Sequence, residues 1–471
     1  MQVQSMHFKR RAGEKLADEL LQANLRKAQG KFVDGRAKAV AEFGHDEWER
    51  LRTHAADLRD RVLANLDAYL AEFERNAVAR GTVVHWAETA EDACTIIADI
   101  ARRNGVRKVT KSKSMVSEEV GLNERLEAEG IQVVETDLGE YILQLAKEPP
   151  SHIVAPAVHK SKEQVADLFT EAHGKPRSTD IPALTREARE ALREHFLTAD
   201  MGISGANWVI AETGTTLTVT NEGNADLVTT MPRIHCVITG IEKVIPTLED
   251  FASLIRLLPR SAIGQTVTNY LTLTTGVKAP GEADGPEQMH VVLVDAGRTK
   301  FVGSDLQPMM RCIRCGACMN HCPVYQNVGG HAYGWVYPGP MGSVLTPVYV
   351  GIEHAGDLPN AATFCGECAV ACPVRIPLPD LMRKLRERQF DGHLRPWPER
   401  AGILLWSFAA KRPALYAFGA RWAARVASWL GGRKGLIHAL PGLDGWTKGR
   451  DMPAPAGRTF RDLYRERKGR A

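Results

Sequence analysis

Seven of the nine cysteines in this chain of 471 residues lie between positions 312 and 372, in two runs that each end in Cys-Pro. The first holds Cys312, Cys315, Cys318 and Cys322, followed by Pro323. The second holds Cys365, Cys368 and Cys372, followed by Pro373, and repeats the last three positions of the first. The full spacing, C-x2-C-x2-C-x3-C-P, presents thiolates to the iron corners of cubane [4Fe–4S] clusters, so the chemistry on offer is the movement of single electrons.

Each iron corner takes one thiolate. A tight loop with cysteines three residues apart reaches three corners, and a glycine in each run (Gly316, Gly366) relaxes the crowded turn. In two-cluster bacterial-type ferredoxins the fourth cysteine of a run ligates the other cluster. By that rule one cluster takes Cys312, Cys315, Cys318 and Cys372, and the second takes Cys322, Cys365 and Cys368. The position that should supply the remaining thiolate is Ala362. A non-cysteine ligand, a three-iron cluster and a cysteine from a partner chain all stay open. His321, His331, His354 and Glu367 are the nearby donors. Structural zinc, with four Cys or His ligands in C-x2–4-C pairs, does not need runs of this length. Cys94 and Cys236 stand apart in apolar surroundings and read as small buried hydrophobes.

The rest of the chain must hold these runs in place. Its length exceeds one ordinary core, so two to four domains are expected. A net charge of +4 gives no support to nucleic-acid binding. The start, MQVQSMHFKRRAGEK, is too polar and basic for a signal peptide, and no uninterrupted apolar run of about eighteen residues predicts a membrane span. A cytoplasmic protein is expected, and in that compartment clustered cysteines are metal ligands rather than disulfides.

Residues 1–80 read as an N-terminal helical segment, with Trp48, Leu51, Leu58, Val62, Leu66 and Leu70 at helical spacing. Residues 81–297 alternate strands and helices, the pattern of an α/β domain with a largely parallel sheet. Strands are expected at 82–85, 108–110, 131–135, 152–155, 208–211, 217–220, 235–239 and 290–293. A helical insertion is expected near 180–204, and KAPGEADGPEQ (278–288) reads as a loop. Residues 298–385 form the helical, ferredoxin-like region. Between its two runs, GGHAYGWVYPGPMGSVLTPVY should be an irregular wrap over a metal centre rather than a long helix. Residues 386–471 are a helical, basic C-terminal domain: sixteen Lys/Arg against five Asp/Glu follow His393, and five of the nine tryptophans are here. Its apolar stretch 403–430, broken by Lys411, Arg412, Pro413, Arg421 and Arg425, reads as a partner-docking or membrane-surface element. The final TFRDLYRERKGRA reads as a basic tail without structure of its own.

Three stretches of the α/β region have the character of binding loops. Val109-Thr-Lys-Ser-Lys-Ser-Met-Val116 lies where a strand gives way to a helix. Ala211-Glu-Thr-Gly-Thr-Thr216 and Thr220-Asn-Glu-Gly-Asn-Ala-Asp226 are turns rich in small and polar residues. Such loops bind ligands in open α/β sheets. They also simply connect strands in many folds. Neither GxGxxG nor a phosphate loop is present. His159, His235 and His290 are candidate general bases, although a lone histidine beside a strand is more often structural.

In order along the chain, TKSKSMVSEEVGLNERLEAEGIQVVETDLGEYILQL, HIVAPAVHKSKEQVADLF, IAETGTTLTVTNEGNADL, RCIRCGACMNHCPVY and CGECAVACPVRIPL resemble the lactate utilisation protein B family over roughly residues 20–465. The resemblance implies a LUD domain of the NagB/RpiA/CoA-transferase-like α/β class. It also implies two [4Fe–4S] clusters, a family-specific basic C-terminal domain, and a second cysteine run that lacks its first member throughout the family. It implies action with two partners, a cysteine-rich subunit and a second LUD protein, in a cytoplasmic system that oxidises L-lactate to pyruvate. It supplies no catalytic centre, and neither the electron donor nor the acceptor is identified. Two other readings remain: an iron–sulfur subunit for another 2-hydroxy acid or a heterodisulfide-type reductase, and a metabolite-binding or redox-sensing module.

Overall fold

The computed structural model describes residues 3–440 and 450–469 and divides into two compact units, Met1–Gln389 and Phe390–Ala471. In the larger unit the strands are β1 (Thr82–Ala87), β2 (Lys108–Lys111), β3 (Gln132–Glu135), β4 (Met201–Gly205), β5 (Trp208–Ile210), β6 (Thr215–Thr220), β7 (Ile234–Gly240), β8 (Val244–Ile245), β9 (Tyr270–Thr274) and β10 (Gln288–Val294).

Six of them form one sheet in the order β1-β10-β7-β4-β2-β3, with every neighbouring pair parallel. All seven residues of β7 are buried, as expected for a central strand covered on both faces. The other four form a mixed sheet, β8-β5-β6-β9. Helices alternate with the parallel strands because their sequences place caps and apolar stripes at the right intervals. Ala90–Arg103, for example, begins with a capping box between Thr89 and Asp92 and buries Cys94, Ile97, Ala98 and Ala101.

Four helices precede the sheet: Phe8–Leu16, Glu19–Phe43, His45–Ala64 and Leu66–Val78. Their apolar faces enter one continuous core with the small sheet and the cysteine region, which includes Trp48, Phe73, Trp208, Met309, Tyr325 and Tyr333. The cysteine region therefore folds as part of the α/β body, sharing its core. Buried arginines reinforce the seam. Arg59, 1% exposed, donates to the carbonyls of Val244 and Met310, and Arg52 donates to the carbonyl of Cys372.

Four expectations change. The helix of the 180–204 insertion ends at Thr198, and Met201–Gly205 is β4, a buried interior strand paired with β2 and β7. The strand at 152–155 is a turn, because the His152 Nδ1 accepts from the Val154 and Ala155 amides and folds the chain back on itself. The Gly-, Pro- and aromatic-rich wrap contains a helix, Gly339–Tyr349, started by Pro340 in its first turn, where a missing N–H costs nothing. The basic end is also helical over Phe460–Gly469, because Thr459 caps the Asp462 amide and Arg421 pairs with the Asp462 carboxylate at 3.0 Å. In the smaller unit, helices Trp397–Ala410 and Pro413–Leu430 bury no residue of their own. Trp446 lies outside the described residues. No described helix is long and apolar enough to cross a membrane.

Candidate functional site

Both cysteine runs fold by the same local device. In the first, Arg314 and Gly316 flank Cys315 with φ of 58° and 78°. In the second, Phe364 and Gly366 flank Cys365 with φ of 58° and 90°. Two left-handed residues around a cysteine turn backbone N–H groups inward, a concave arrangement that suits a polyanion. The Arg314 amide points at the Cys312 Sγ, and the Ile376 amide at the Cys372 Sγ, each at 3.4 Å. A short helix follows each loop, Ala317–Asn320 and Glu367–Ala371.

The thiols fall into two sets. Cys315 is pushed up first by burial, then by Cys372 and Cys312 beside it. Cys318 is pushed up by burial and by Cys312, Cys315, Cys368 and Cys372. In the other set, burial and then Cys322 and Cys365 raise Cys368 to about 12. The fold thus brings Cys372 across the chain to Cys312 and Cys315, and Cys322 to Cys365 and Cys368. Cys365 is exposed, whereas Cys315, Cys322, Cys368 and Cys372 are buried. Four thiolates tetrahedral on zinc at about 2.3 Å stand about 3.8 Å apart. Among the described residues, the one set of three or more Cys, His, Asp or Glu ligand atoms within 4.8 Å of one another is Glu148, His159 and His331, with no cysteine in it. Among the described residues, no three cysteine sulfurs therefore lie close enough together for a single tetrahedral ion.

Cations surround the first set. Arg36 donates to the Ala371 carbonyl, and Arg52 to that of Cys372. Arg314 stacks on Tyr337, 4.9 Å from the ring centre, and reaches the Glu242 carboxylate at 3.3 Å. Beside the other set is Tyr333, which the sequence reading passed over. It is fully buried, its hydroxyl has no hydrogen-bond partner among the described residues, and Cys322 is its strongest electrostatic neighbour. A sequence signal existed, since Tyr333 lies inside the aromatic wrap.

The four suggested donors for the missing corner are engaged or peripheral. His321 shares a hydrogen bond with the Ala317 carbonyl at 2.9 Å and His331 with the Pro149 carbonyl at 2.7 Å. The His354 side chain is 68% exposed, and Glu367 is exposed at the start of the helix Glu367–Ala371.

Next to the first run lies a cavity of about 580 Å³ at the carboxyl ends of β2, β3, β4 and β7, where open parallel sheets bind ligands. Residues 112–116 and 220–225 both reach it, so two of the three loops singled out in the sequence meet in one place. The third, 211–216, does not. Gly214 packs on the backbone of Ala77, where a Cβ would come within 2.3 Å of the Ala77 nitrogen. The lysine-rich loop divides in function. Lys111 is fully buried and held charged, against burial, by Glu118 at 2.6 Å and Glu135 at 2.7 Å. Lys113 lines the cavity and donates to the Val154 carbonyl at 3.0 Å. Burial and neighbouring Asp137 raise the Glu222 carboxyl to about 7. Arg314, Tyr337 and Lys243 also line the cavity, which joins it to the cysteine loop.

The three candidate histidine bases lie elsewhere. His235 is buried in β7 against the Ser204 hydroxyl at 2.8 Å. His290 pairs with His85 at 3.1 Å, and His159 binds Glu148 and Ser151, each at 2.9 Å. None of them lines the cavity.

Fold and site define an α/β protein with an integral iron–sulfur region. The LUD domain family matches residues 70–294, the 4Fe-4S dicluster domain residues 308–376, and the lactate utilisation protein B C-terminal domain residues 382–469. Lactate utilization protein B of Bacillus licheniformis is 44% identical, covering 99% of this chain and 98% of that protein. The Bacillus subtilis protein of the same name is 43% identical at the same coverage. An Escherichia coli protein named uncharacterized electron transport protein YkgF is 42% identical, covering 98% of this chain and 96% of its own. A crystal structure of a DUF162 family protein from Deinococcus radiodurans aligns with a TM-score of 0.28 and 15% identity, over 49% of this chain and 98% of that one. The chain belongs to the lactate utilization protein B family, and it is a LUD-domain protein with a 4Fe-4S region.

Proposed function

We propose that this chain is the iron–sulfur electron-transfer subunit of a multi-protein system that oxidises L-lactate to pyruvate, so that lactate serves as a carbon source. The observation that carries this reading is the sharing of Arg314 between the cavity and the loop that holds Cys312 and Cys315. A place for an organic molecule and a place for one-electron carriers adjoin in one compact unit. The names of the relatives, lactate utilization protein B and an electron transport protein, point the same way.

In this reading Cys312, Cys315, Cys318 and Cys372 hold one [4Fe–4S] cluster, and Cys322, Cys365 and Cys368 hold three corners of the second. When bound, the clusters accept and release single electrons. The chain's own residues set the environment. Arg36, Arg52, Arg59 and Arg314 offset thiolate charge around the first set, and the buried, unpartnered Tyr333 hydroxyl is a donor available to the Cys322 sulfur. Lactate gives up two electrons and two protons on becoming pyruvate. A two-electron site on a partner, a cysteine-rich subunit or a second LUD protein, complements this chain. The α/β domain adopts a NagB/RpiA/CoA-transferase-like arrangement.

Anaerobically purified protein should contain two clusters by iron and sulfide analysis. Mixed with its partners, it should develop the EPR signal of reduced clusters on addition of L-lactate. Clusters that dithionite reduces but lactate with partners does not would refute the relay. Cys315→Ser should remove about half the iron, since it strips one of two clusters of a thiolate. Full iron content in that variant would refute the ligand assignment.

A further inference from the structure

Lys243 closes the short turn that links β7 to β8. It is 7% exposed and forms part of the cavity wall. Its ammonium makes no hydrogen bond or ion pair within the described residues, although Glu242 and Arg314 are electrostatic neighbours. Buried ammonium groups are costly unless an anion satisfies them. The turn places this one where a bound molecule can do so.

We propose that the cavity binds organic monocarboxylates with an apolar body, and that Lys243 anchors the carboxylate beside Arg314. The cavity wall carries Lys113, Lys243 and Arg314 against Asp137 and Glu222, so an anion is favoured, and the apolar surface beside Lys243 favours an organic one over inorganic phosphate. The remaining wall is largely apolar, with Ile142, Ile153, Val219, Leu258 and Ile263 among its residues. A volume of about 580 Å³ is far more than a three-carbon acid fills and falls in the range of sites for larger molecules. The site therefore favours monocarboxylates whose apolar chains are longer than the methyl of a three-carbon acid. The redox role of such acids rests on the relay reading above, but their binding does not.

The test is calorimetric titration of the full, cluster-loaded chain with pyruvate, L-lactate, 2-oxobutanoate, 2-oxo-4-methylpentanoate and inorganic phosphate. Each added methylene that becomes buried should tighten binding roughly fourfold. Lys243→Met should weaken every carboxylate roughly ten- to a hundredfold, the loss expected for a charge-assisted hydrogen bond, with iron and sulfide content unchanged. Ala206→Leu, which narrows the cavity, should weaken the longer acids more than pyruvate. Phosphate binding as tight as that of the acids, equal affinities in Lys243→Met, or affinity that falls with chain length would overturn the proposal. Lactate-driven cluster reduction is read on the same preparation. Carboxylate binding without reduction sinks the relay and leaves the site standing, whereas reduction without saturable carboxylate binding sinks the site.

Discussion

Replacing Arg298 with methionine should destabilise the larger unit by about 3–5 kcal/mol, the cost of removing one member of a buried charge network. Arg298 is fully buried and binds both oxygens of Glu119, at 2.8 and 2.9 Å, and the Glu242 carboxylate at 2.7 Å. The two acids are 3% and 2% exposed. The Tyr337 hydroxyl donates to Glu119 at 2.5 Å, and Arg314 reaches Glu242 at 3.3 Å. Burial alone would raise the Glu242 carboxyl, but Arg298, Arg314 and Lys243 outweigh it and bring it down to about 2. Without Arg298, Glu119 keeps only a phenol and Glu242 is left to the more distant Arg314, both out of reach of water. An exposed pair such as Arg50–Glu47 contributes at most about 1 kcal/mol, so the contrast between the two sites is large. The network also joins the α/β domain to the backbone between Cys312 and Cys315, so iron retention should fall along with stability. Anaerobic denaturant titration followed by circular dichroism, with iron release in parallel, reads both effects. Arg298→Lys should not rescue, because one ammonium cannot serve two carboxylates in the fork geometry of a guanidinium. Pairing Arg298→Met with Glu119→Leu should recover part of the loss, since apolar replacements of a buried pair are often tolerated. Arg298→Met within about 1 kcal/mol of the parent would refute the argument.

Other outcomes follow from single contacts. Gly240→Ala should destabilise strongly, because its Cβ would lie 2.3 Å from the Arg298 Nε; thermal unfolding checks this. If the free Tyr333 hydroxyl donates to the Cys322 sulfur of a loaded cluster, Tyr333→Phe should lower that cluster's potential by about 40 mV, the equivalent of one hydrogen bond of about 1 kcal/mol, with the iron count unchanged in a redox titration by EPR. Glu222 holds its proton to about pH 7 when folded but to about pH 4.3 when unfolded. Between those values only the native state keeps the proton, so this residue's contribution to stability falls as pH rises through that window. Glu222→Gln should therefore gain about 2 kcal/mol on the parent between pH 5 and pH 8, measured as the difference in denaturant midpoints.

The cysteine runs could be read in the sequence because their chemistry is local. Three-residue intervals and a glycine beside Cys315 and Cys365 are enough to form the loops, and the φ values at Arg314 and Phe364 repeat in the second run what the first does. The alternation of strands and helices was equally legible, since periodicity is a property of short segments. The turn at 152–155 was not, because His152 bonds to amides two and three residues on instead of entering a sheet.

Other features depended on residues far apart in the chain. Nothing in TKSK distinguishes Lys111, locked between Glu118 and Glu135, from Lys113, which faces the cavity. Nor does local sequence place Lys243 beside Arg314, or Arg298 between Glu119 and Glu242. The amino-acid sequence by itself marked the cysteine runs of a 4Fe-4S region and the α/β sheet that adjoins them. Tertiary packing decided which charges were buried together and which ammonium was left facing an open space. Spacing acts along the backbone, whereas desolvation and charge pairing arise only once distant segments share a core.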